Sequence, residues 1–430
     1  MTVVPIFILA ALGLLGISNL KRGIHSLLFL IMAIPLGQLL PNLNTATMLR
    51  IGSISVYEIL IIFYLLLVVI KGKFKYSRFS LMGLAFVAFY ICNAVLSTEK
   101  YGLNSVLADS KDYVIAMLLV QLIVQVVDYY TIDDFGLLTL EATFVAAVLT
   151  LFGYIGTYHT MLPVASRYGF GIQTLFLFSI PYGLYLIIVE KKANAWIILE
   201  MIIQLYLIVL SQNRTNPVII VFIILIGFWH YLSTDIEMPE GTKSRLRKWL
   251  LVILCALGVA YIYIRVNSSV TTGFIGRINE ILFTNGETDS MKMRSINVAY
   301  YLSEIMNNKM GVGLGAYMPA KSIYVSGFDD STLLNYGFDN MFITMSYKMG
   351  IVITAMYTIY LLCGITVVFR KRKYERSSYL CGLILIGFIV AGGIYTVQLL
   401  KNVSVYTCFM AMLVILTSKG RREYENRVLS

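Results

Sequence analysis

Four arginines in the polar segments of this sequence could bind an anionic group. Arg167 lies in the hexapeptide at 166–171, and Arg214 lies in a short polar turn at 211–216 between two apolar blocks. Arg277 and Arg294 lie in a long polar stretch at 267–338. An arginine fork binds phosphate oxygens in a bidentate manner, so arginines beside apolar blocks suit a phosphate held at the headgroup level of a membrane. The alternative is that they only position the chain at a membrane interface.

A candidate general base stands at the end of the same polar stretch. The stretch contains no histidine, and Asp339 follows it directly, just before Asn340 and the next apolar block. A carboxylate there could deprotonate an acceptor hydroxyl. Aspartate is also a routine N-cap residue, so a structural role for Asp339 is equally compatible with the sequence.

A glycine run at 311–315 resembles a phosphate-binding loop in composition. Gly311, Gly313 and Gly315 occupy alternate positions, but no strand precedes them and no Lys-Ser/Thr pair follows. A nucleotide-binding P-loop is therefore a poor interpretation. We expect these glycines to permit a tight return of the chain near the membrane, with backbone N–H groups that could face a substrate.

One helix is predicted inside the polar stretch, at 289–307. Its apolar face is predicted from the i, i+3/i+4 spacing of five residues, which are Met291, Arg294, Val298, Leu302 and Ile305. Arg294 is thus expected to face a partner or a cavity, because burying an unpaired charge costs several kcal/mol; a structural ion pair or snorkelling is the alternative. Tyr300 could stack on a sugar, although interfacial anchoring is the commoner role of such tyrosines.

The elements that would position these residues are membrane helices. Residues are 58% hydrophobic and only 13% charged, whereas soluble domains carry roughly 25% charged residues. About 20 apolar residues suffice to cross a bilayer as a helix. We therefore predict one all-α polytopic domain over 1–430, with a large extracytoplasmic loop at 267–338. The predicted spans are 3–19, 26–41, 52–70, 79–96, 112–128, 135–157, 171–189, 194–210, 217–233, 249–266, 342–369, 378–397 and 403–418.

The distribution of basic residues predicts the orientation of the chain. The formal net charge is +11, and most of the 34 basic residues fall in alternate loops on one side. The positive-inside rule then places the N-terminus outside and the C-terminus in the cytoplasm. The basic excess is read as a topology signal with affinity for anionic lipids, and nucleic acid is not expected as a partner.

Some ionisable residues lie within the predicted spans. Glu58 and Arg265 are near the outer ends of their spans, where snorkelling explains them, whereas Glu141 and Glu200 are deeper and have no evident partner. Intramembrane charges are functional candidates by default. The five cysteines all fall within spans without a C-x-x-C pair, so neither a disulfide framework nor a zinc site is expected.

The order of the polar motifs resembles the O-antigen polymerase and ligase superfamily (Wzy-type polymerases and their relatives). The matching segments are Arg167 with its glycines, the turn at 211–216, the arginine helix around Arg294, the glycine run at 311–315 and the segment 338–342 followed by 349–351. This resemblance implies transfer of lipid-linked sugar chains outside the cell membrane. Ligases of this group carry a histidine where this sequence has Asp339, which favours a polymerase and leaves the identity of the base open.

The resemblance and the residue chemistry predict a polymerase of polysaccharide repeat units (O-antigen, capsule or exopolysaccharide) carried on undecaprenyl pyrophosphate. The expected location is the outer face of a bacterial cytoplasmic membrane. Fixed arginines can stabilise a departing pyrophosphate, so we expect neither a metal nor another cofactor. Asp339, Arg214 and Arg294 are the expected catalytic residues. The expected substrate-binding residues are Arg167, Arg277, Gly311, Gly313, Gly315, Asn340 and Tyr300.

Three other functions are compatible with the sequence. A ligase would move finished glycan to another acceptor. A transporter or flippase for lipid-linked oligosaccharide would show a polar cavity through the bilayer and symmetric halves, although no internal repeat is evident. A non-catalytic scaffold would tolerate the loss of every arginine named above. A chain-length regulator and a flippase are the protein partners expected of a polymerase.

Overall fold

The protein folds as a bundle of apolar helices, and strands are few and short. The computed structural model describes residues 3–33, 38–40, 43–44, 49–51, 54–72, 74–161, 171–211, 215–234, 238–266, 289–318, 340–370, 376–394 and 403–428. The helices are α1 Val3–Ser18, α2 Leu20–Ala33, α3 Val56–Ile70, α4 Arg78–Tyr101, α5 Leu103–Val126, α6 Ile132–Tyr158, α7 Phe176–Ile188, α8 Ala195–Ser211, α9 Thr215–Ser233, α10 Thr242–Val266, α11 Asp289–Asn307, α12 Met341–Met349, α13 Ile351–Arg370, α14 Ser378–Ile394 and α15 Val403–Val428. The all-α prediction is confirmed for this part of the chain.

Short irregular elements connect some of the helices. Two antiparallel pairs, β1 Gln38–Leu40 with β2 Leu43–Asn44 and β3 Arg50–Ile51 with β4 Ile54–Ser55, lie between α2 and α3. One 3₁₀ turn, Val127–Tyr129, precedes α6, and another, Gly171–Thr174, precedes α7.

Four helices are long and apolar enough to cross a membrane, judged by length and composition among the described residues. They are Ser80–Tyr101, Ile132–Tyr158, Thr215–Ser233 and Ile351–Arg370, and shorter apolar helices of 10–17 residues accompany them. The outer face of α9 presents Val218, Phe222, Ile226 and Trp229, each at least 44% exposed, in one stripe at helical spacing. An apolar stripe of this kind on the outside of a bundle indicates a membrane protein.

The last helix lies at the centre of the bundle. Every residue of α15 from Val405 to Leu416 is at most 1% exposed, as expected of a helix that is apolar on all sides. It contacts α2, α5 and α13 most extensively. Around it, α4 and α5 form an antiparallel hairpin, and α9 packs against α14.

The predicted span at 342–369 is divided into two helices at Gly350. Gly350 has φ +89° and ends α12, and α13 begins at the next residue. A Cβ at this position would lie 2.7 Å from the backbone oxygen of Lys309, so the preceding loop packs directly against the break. The prediction of a single continuous helix over 342–369 was wrong, because a positive φ is incompatible with helical geometry.

Candidate functional site

Most of the charged residues predicted for the site lie outside the described residues. This applies to Arg167, Arg214, Arg277 and Asp339. Arg294 belongs to the backbone of α11, but its side chain is likewise outside the description. The residues that flank these positions are described, and they define where the candidate site can lie.

A hydrogen bond connects the residues that follow Arg167 and Arg214 in the chain. Asn216, in the first turn of α9, is only 1% exposed, and its Nδ2 donates to the backbone oxygen of Gln173 at 3.2 Å. Gln173 belongs to the 3₁₀ turn that follows the segment 162–170, which contains Arg167. Asn216 follows Arg214 by two residues. The two loops therefore start from adjacent points of the bundle.

The residue after Asp339 is tied to another helix. Asn340 is the N-cap of α12, and its side chain accepts from the backbone N–H of Ile343 at 3.1 Å. Its amide nitrogen also donates to the backbone oxygen of Gly393, near the end of α14. The sequence was equally compatible with a cap role and a catalytic role for Asp339, and the structure gives the cap role to Asn340. Both polar groups of Asn340 are thus already bonded within the protein, and its role in substrate binding remains a prediction.

The Asn216–Gln173 contact and the Asn340–Gly393 contact lie at the same end of the bundle. Helices α9 and α14 are packed neighbours, and a Cβ on Gly387 would lie 2.7 Å from Ile223 and 3.1 Å from Ile219. Along α14, Gly393 lies about 9 Å beyond Gly387. Along α9, Asn216 lies about 7–8 Å before the midpoint between Ile219 and Ile223. Asn216 and Gly393 therefore lie at nearly the same height on neighbouring helices. The flanks of Arg167, Arg214 and Asp339 meet at this end.

The glycine run is an anchor between helices. Gly311, Gly313 and Gly315 have φ of +83°, +106° and +87°, which favours glycine. A Cβ on Gly311 would lie 2.5 Å from the backbone oxygen of Lys348, and one on Gly313 would lie 2.5 Å from Ser97 Oγ. The glycines therefore allow the chain to pass very close to α4 and α12, as the predicted tight return requires.

The backbone N–H groups of this run are already used. Gly313 donates to the backbone oxygen of Lys348 at 2.9 Å, and Gly315 donates to Asp109 Oδ2 at 2.9 Å. Leu314 donates to Asn93 Oδ1 at 3.0 Å. These three donors are therefore occupied within the fold, and substrate binding by Gly311, Gly313 and Gly315 stays a prediction without support from these contacts.

A buried ion pair lies beneath the glycine run. Lys348 of α12 bonds Asp109 of α5 through Nζ and Oδ2, and both side chains are completely buried. The same Oδ2 accepts the Gly315 N–H. Sequence reasoning missed this pair, although Lys348 falls inside the predicted span at 342–369. We call Asp109, Lys348 and Gly315 the anchor triad.

The packed face of α11 contains Val298 and Ile305 of the predicted stripe but not Leu302. Leu302 is 51% exposed, whereas Asn297, Tyr301 and Ile305 are at most 5% exposed. The prediction for Leu302 was therefore wrong, because the face is centred one position away. Tyr301 packs edge-on against Tyr347 of α12, with ring centroids 5.4 Å apart, and burial raises the pKa of Tyr301 above its ordinary value.

The bounds and neighbours of α11 bear on two of the predicted site residues. The bounds Asp289–Asn307 confirm the predicted helix. The side chain of Arg294 lies outside the described residues, so its expected role remains a prediction. Tyr300 is half-buried, and its ring centroid lies 5.2 Å from that of Tyr301. Sugar stacking by Tyr300 remains a prediction.

The three glutamates within the predicted spans have three different environments. Glu58 is 4% exposed, accepts the Ser55 N–H at 3.0 Å and pairs with Lys111 at 3.3 Å, so it is a structural residue and does not snorkel. Glu141 is exposed on α6. Glu200 is buried, and the partners that the sequence did not reveal are Thr143 and Gln204.

At one end of the bundle, the described residues thus present amide and backbone groups from Gln173, Asn216, Asn340 and Gly393. The segments that contain Arg167, Arg214 and Asp339 adjoin these residues in sequence. Among the described residues, no three His, Cys, Asp or Glu side chains are grouped closely enough to hold a metal ion. The described residues at this end contribute amide and backbone groups, so any charged side chains of the site have to come from the adjoining segments. Neither a protein-family model nor a curated protein sequence matches the chain.

Proposed function

We propose that the protein is a polymerase of polysaccharide repeat units carried on polyprenyl pyrophosphate, acting at the outer face of the bacterial cytoplasmic membrane. One observation carries this proposal. The flanks of Arg167, Arg214 and Asp339 meet at one end of an apolar helix bundle, although the three residues are far apart in sequence. Two arginines and a carboxylate whose flanking residues lie at one end of the bundle can act on a single lipid-linked substrate.

The proposed reaction transfers the growing glycan from its pyrophosphate carrier to a second lipid-linked unit. The acceptor hydroxyl oxygen bonds the anomeric carbon of the donor sugar, and the bond from that carbon to the pyrophosphate oxygen breaks. Asp339 takes the hydroxyl proton, and the bonding electrons leave with the pyrophosphate. Arg167, Arg214 and Arg294 hold the pyrophosphates of donor and acceptor. One preorganised electrostatic partner of this kind is worth about 3–4 kcal/mol, so the mechanism needs no metal.

The proposed topology supplies the right compartment. Thirteen spans with an external N-terminus and a cytoplasmic C-terminus put the loop at 267–338, Arg167 and Arg214 on the outer side. No nucleotide sugar is available there, so the donor has to be anchored in the membrane. Arg277 and Tyr300 are proposed to contact the glycan from the loop. A flippase would supply the repeat units, and a chain-length regulator would act on the product.

A complementation assay tests the proposal. A strain without this gene would receive Arg214→Ala or Arg294→Ala at matched protein level, and its lipid-linked intermediates would be separated by size. We expect single lipid-linked repeat units to accumulate and long chains to be lost, because the departing pyrophosphate is no longer stabilised. Arg247→Ala is the control: this arginine is exposed on α10, away from the proposed site, and its loss should leave the glycan normal.

The other outcomes separate the remaining functions. If long lipid-linked polymer accumulated without being transferred, the protein would be a ligase and not a polymerase. Repeat units trapped on the cytoplasmic leaflet would instead indicate a transporter or flippase. Normal glycan from both arginine variants would contradict the mechanism and favour a scaffold.

A further inference from the structure

We propose that Glu200 is the proton-binding group of a second site, buried inside the helix bundle and separate from the proposed sugar-transfer site. Glu200 lies in α8, 11 residues before Ser211, the last residue of that helix. This separation corresponds to about 16 Å along the helix. The site therefore lies deep in the bundle, far from the end at which the residues that flank Arg167 and Arg214 are found.

Three helices build the site around one carboxyl group. Glu200 Oε1 accepts from Thr143 Oγ1 of α6 and from Gln204 Nε2 of α8, both at 2.6 Å. Gln204 Oε1 in turn accepts from Ser179 Oγ of α7 at 2.7 Å. All four side chains are at most 1% exposed. We call Thr143, Ser179, Glu200 and Gln204 the Glu200 cluster.

The second carboxyl oxygen is the open position of the cluster. Glu200 Oε2 is buried and has no hydrogen-bond partner among the described residues. A buried polar atom without a partner costs free energy, so a native one calls for an explanation. Here the unused atom is the one place where a proton can be added without breaking a bond of the cluster.

No charge in the described surroundings compensates an ionised Glu200. None of the lysines, arginines or histidines in the described part forms an ion pair with it. The ionisable groups on the packed helices are engaged elsewhere or point away: Tyr182 and Asp133 bond each other, Tyr185 bonds Glu190, Asp134 bonds the cap residue Thr131, and Glu141 is exposed. Without a counter-charge, burial favours the neutral acid.

The geometry favours a proton over a metal cation. Glu200 Oε1 already accepts two donors, and Gln204 Oε1 already accepts one. A hard cation such as Mg²⁺ or Ca²⁺ takes six or more oxygen ligands, whereas this cluster leaves one carboxylate oxygen open. The proposed step is the reversible addition of one proton to Oε2, which changes the charge of the cluster from −1 to 0.

A carbodiimide tests the protonation state directly. The reagent takes the proton of a buried carboxylic acid, the carboxylate oxygen bonds its central carbon, and the adduct rearranges to a stable N-acylurea. The full-length protein in nanodiscs would be labelled with dicyclohexylcarbodiimide and mapped by peptide mass spectrometry. We expect a label on Glu200 at neutral pH that decreases as the pH is raised. The label should be lost in Glu200→Gln and kept in Glu141→Gln.

A second variant tests the role of the donors. Thr143→Val removes one donor that stabilises the ionised carboxylate, so the pH of half-maximal labelling should rise by about one unit. Wild-type protein alone already decides the main point, even if a variant fails to fold. Absence of label on Glu200 across mildly acid to mildly alkaline pH, with Glu141 labelled as proof of access, would overturn the proposal. If Na⁺ but not choline protected Glu200 from labelling at constant pH, the ligand of the site would be a metal cation and not a proton.

Discussion

The anchor triad and the Glu200 cluster are both buried acidic sites, but they are satisfied in opposite ways. Asp109 is paired with a lysine and also accepts a backbone N–H. Glu200 is surrounded by a hydroxyl and an amide, and one of its oxygens has no partner among the described residues. Removing one partner of such a buried ion pair leaves an uncompensated charge and is strongly destabilising. A carboxyl group with neutral partners is free to gain or lose a proton.

The comparison separates architecture from chemistry in this bundle. The triad connects α5 to α12 and to the glycine run, so its charges hold three distant segments together. The Glu200 cluster connects α6, α7 and α8, which already pack as neighbours. Burial of an acidic residue alone therefore does not distinguish the two sites; the completeness of its partners does.

The largest expected effect is that of breaking the triad. Lys348→Met leaves Asp109 buried without a counter-charge, which typically costs about 3–5 kcal/mol. The free energy of unfolding, measured by denaturant titration in mixed micelles, should decrease by that amount. Lys75→Ala is the matched control: it removes the exposed pair with Asp128, where the lysine is 41% exposed, and should cost about 1 kcal/mol at most. Equal losses in the two variants would remove the distinction drawn here.

Gly311→Ala should be the next most damaging change. Its φ of +83° is unfavourable for alanine, and the added methyl group would meet the backbone of α12 at 2.5 Å. We expect a loss of at least about 2 kcal/mol in the free energy of unfolding. Gly258→Ala in α10 is the control, since no atom lies within 4 Å of the added group. Alanine at that helical position should leave stability unchanged or slightly raised. A harmless Gly311→Ala would mean that the run is not an anchor.

Glu200→Gln should have the smallest effect on stability. Glutamine keeps the oxygen that accepts from Thr143 and Gln204, and it matches the neutral acid in size and charge. We expect the free energy of unfolding at neutral pH to change by less than about 1 kcal/mol. Asp109→Asn makes the same chemical change in the triad and should cost several kcal/mol, because it leaves Lys348 unpaired. A large loss in Glu200→Gln would show that Glu200 is ionised and compensated.

The helices were the most predictable part of the fold. Apolar blocks of helical length predict where helices lie, because the bilayer leaves the backbone no other way to satisfy its hydrogen bonds. The helix at 289–307 was predicted from spacing alone and has these bounds. The break at Gly350 was not predicted, since hydropathy is continuous across 342–369 and carries no information about φ.

The contacts that define the candidate site were less predictable. Asp109 and Lys348 are separated by 239 residues, and no local pattern connects them. The packed face of α11 contains Asn297 and Tyr301 and leaves Leu302 exposed for a similar reason. Adjacent helical stripes overlap, and the neighbouring helix selects between them. The candidate arginines were found from residue type, and their roles rest on the experiments proposed above.

The length of chain between Asp109 and Lys348 also sets an order of events during synthesis. Lys348 follows Asp109 by 239 positions, so at about 5–20 residues per second ribosomes need roughly 12–50 s to reach it. During this interval α5 exists without the lysine that its buried aspartate requires. The partner lysine of Asp109 is thus added only when α12 is made, and a chain that stops before residue 348 cannot form the anchor triad.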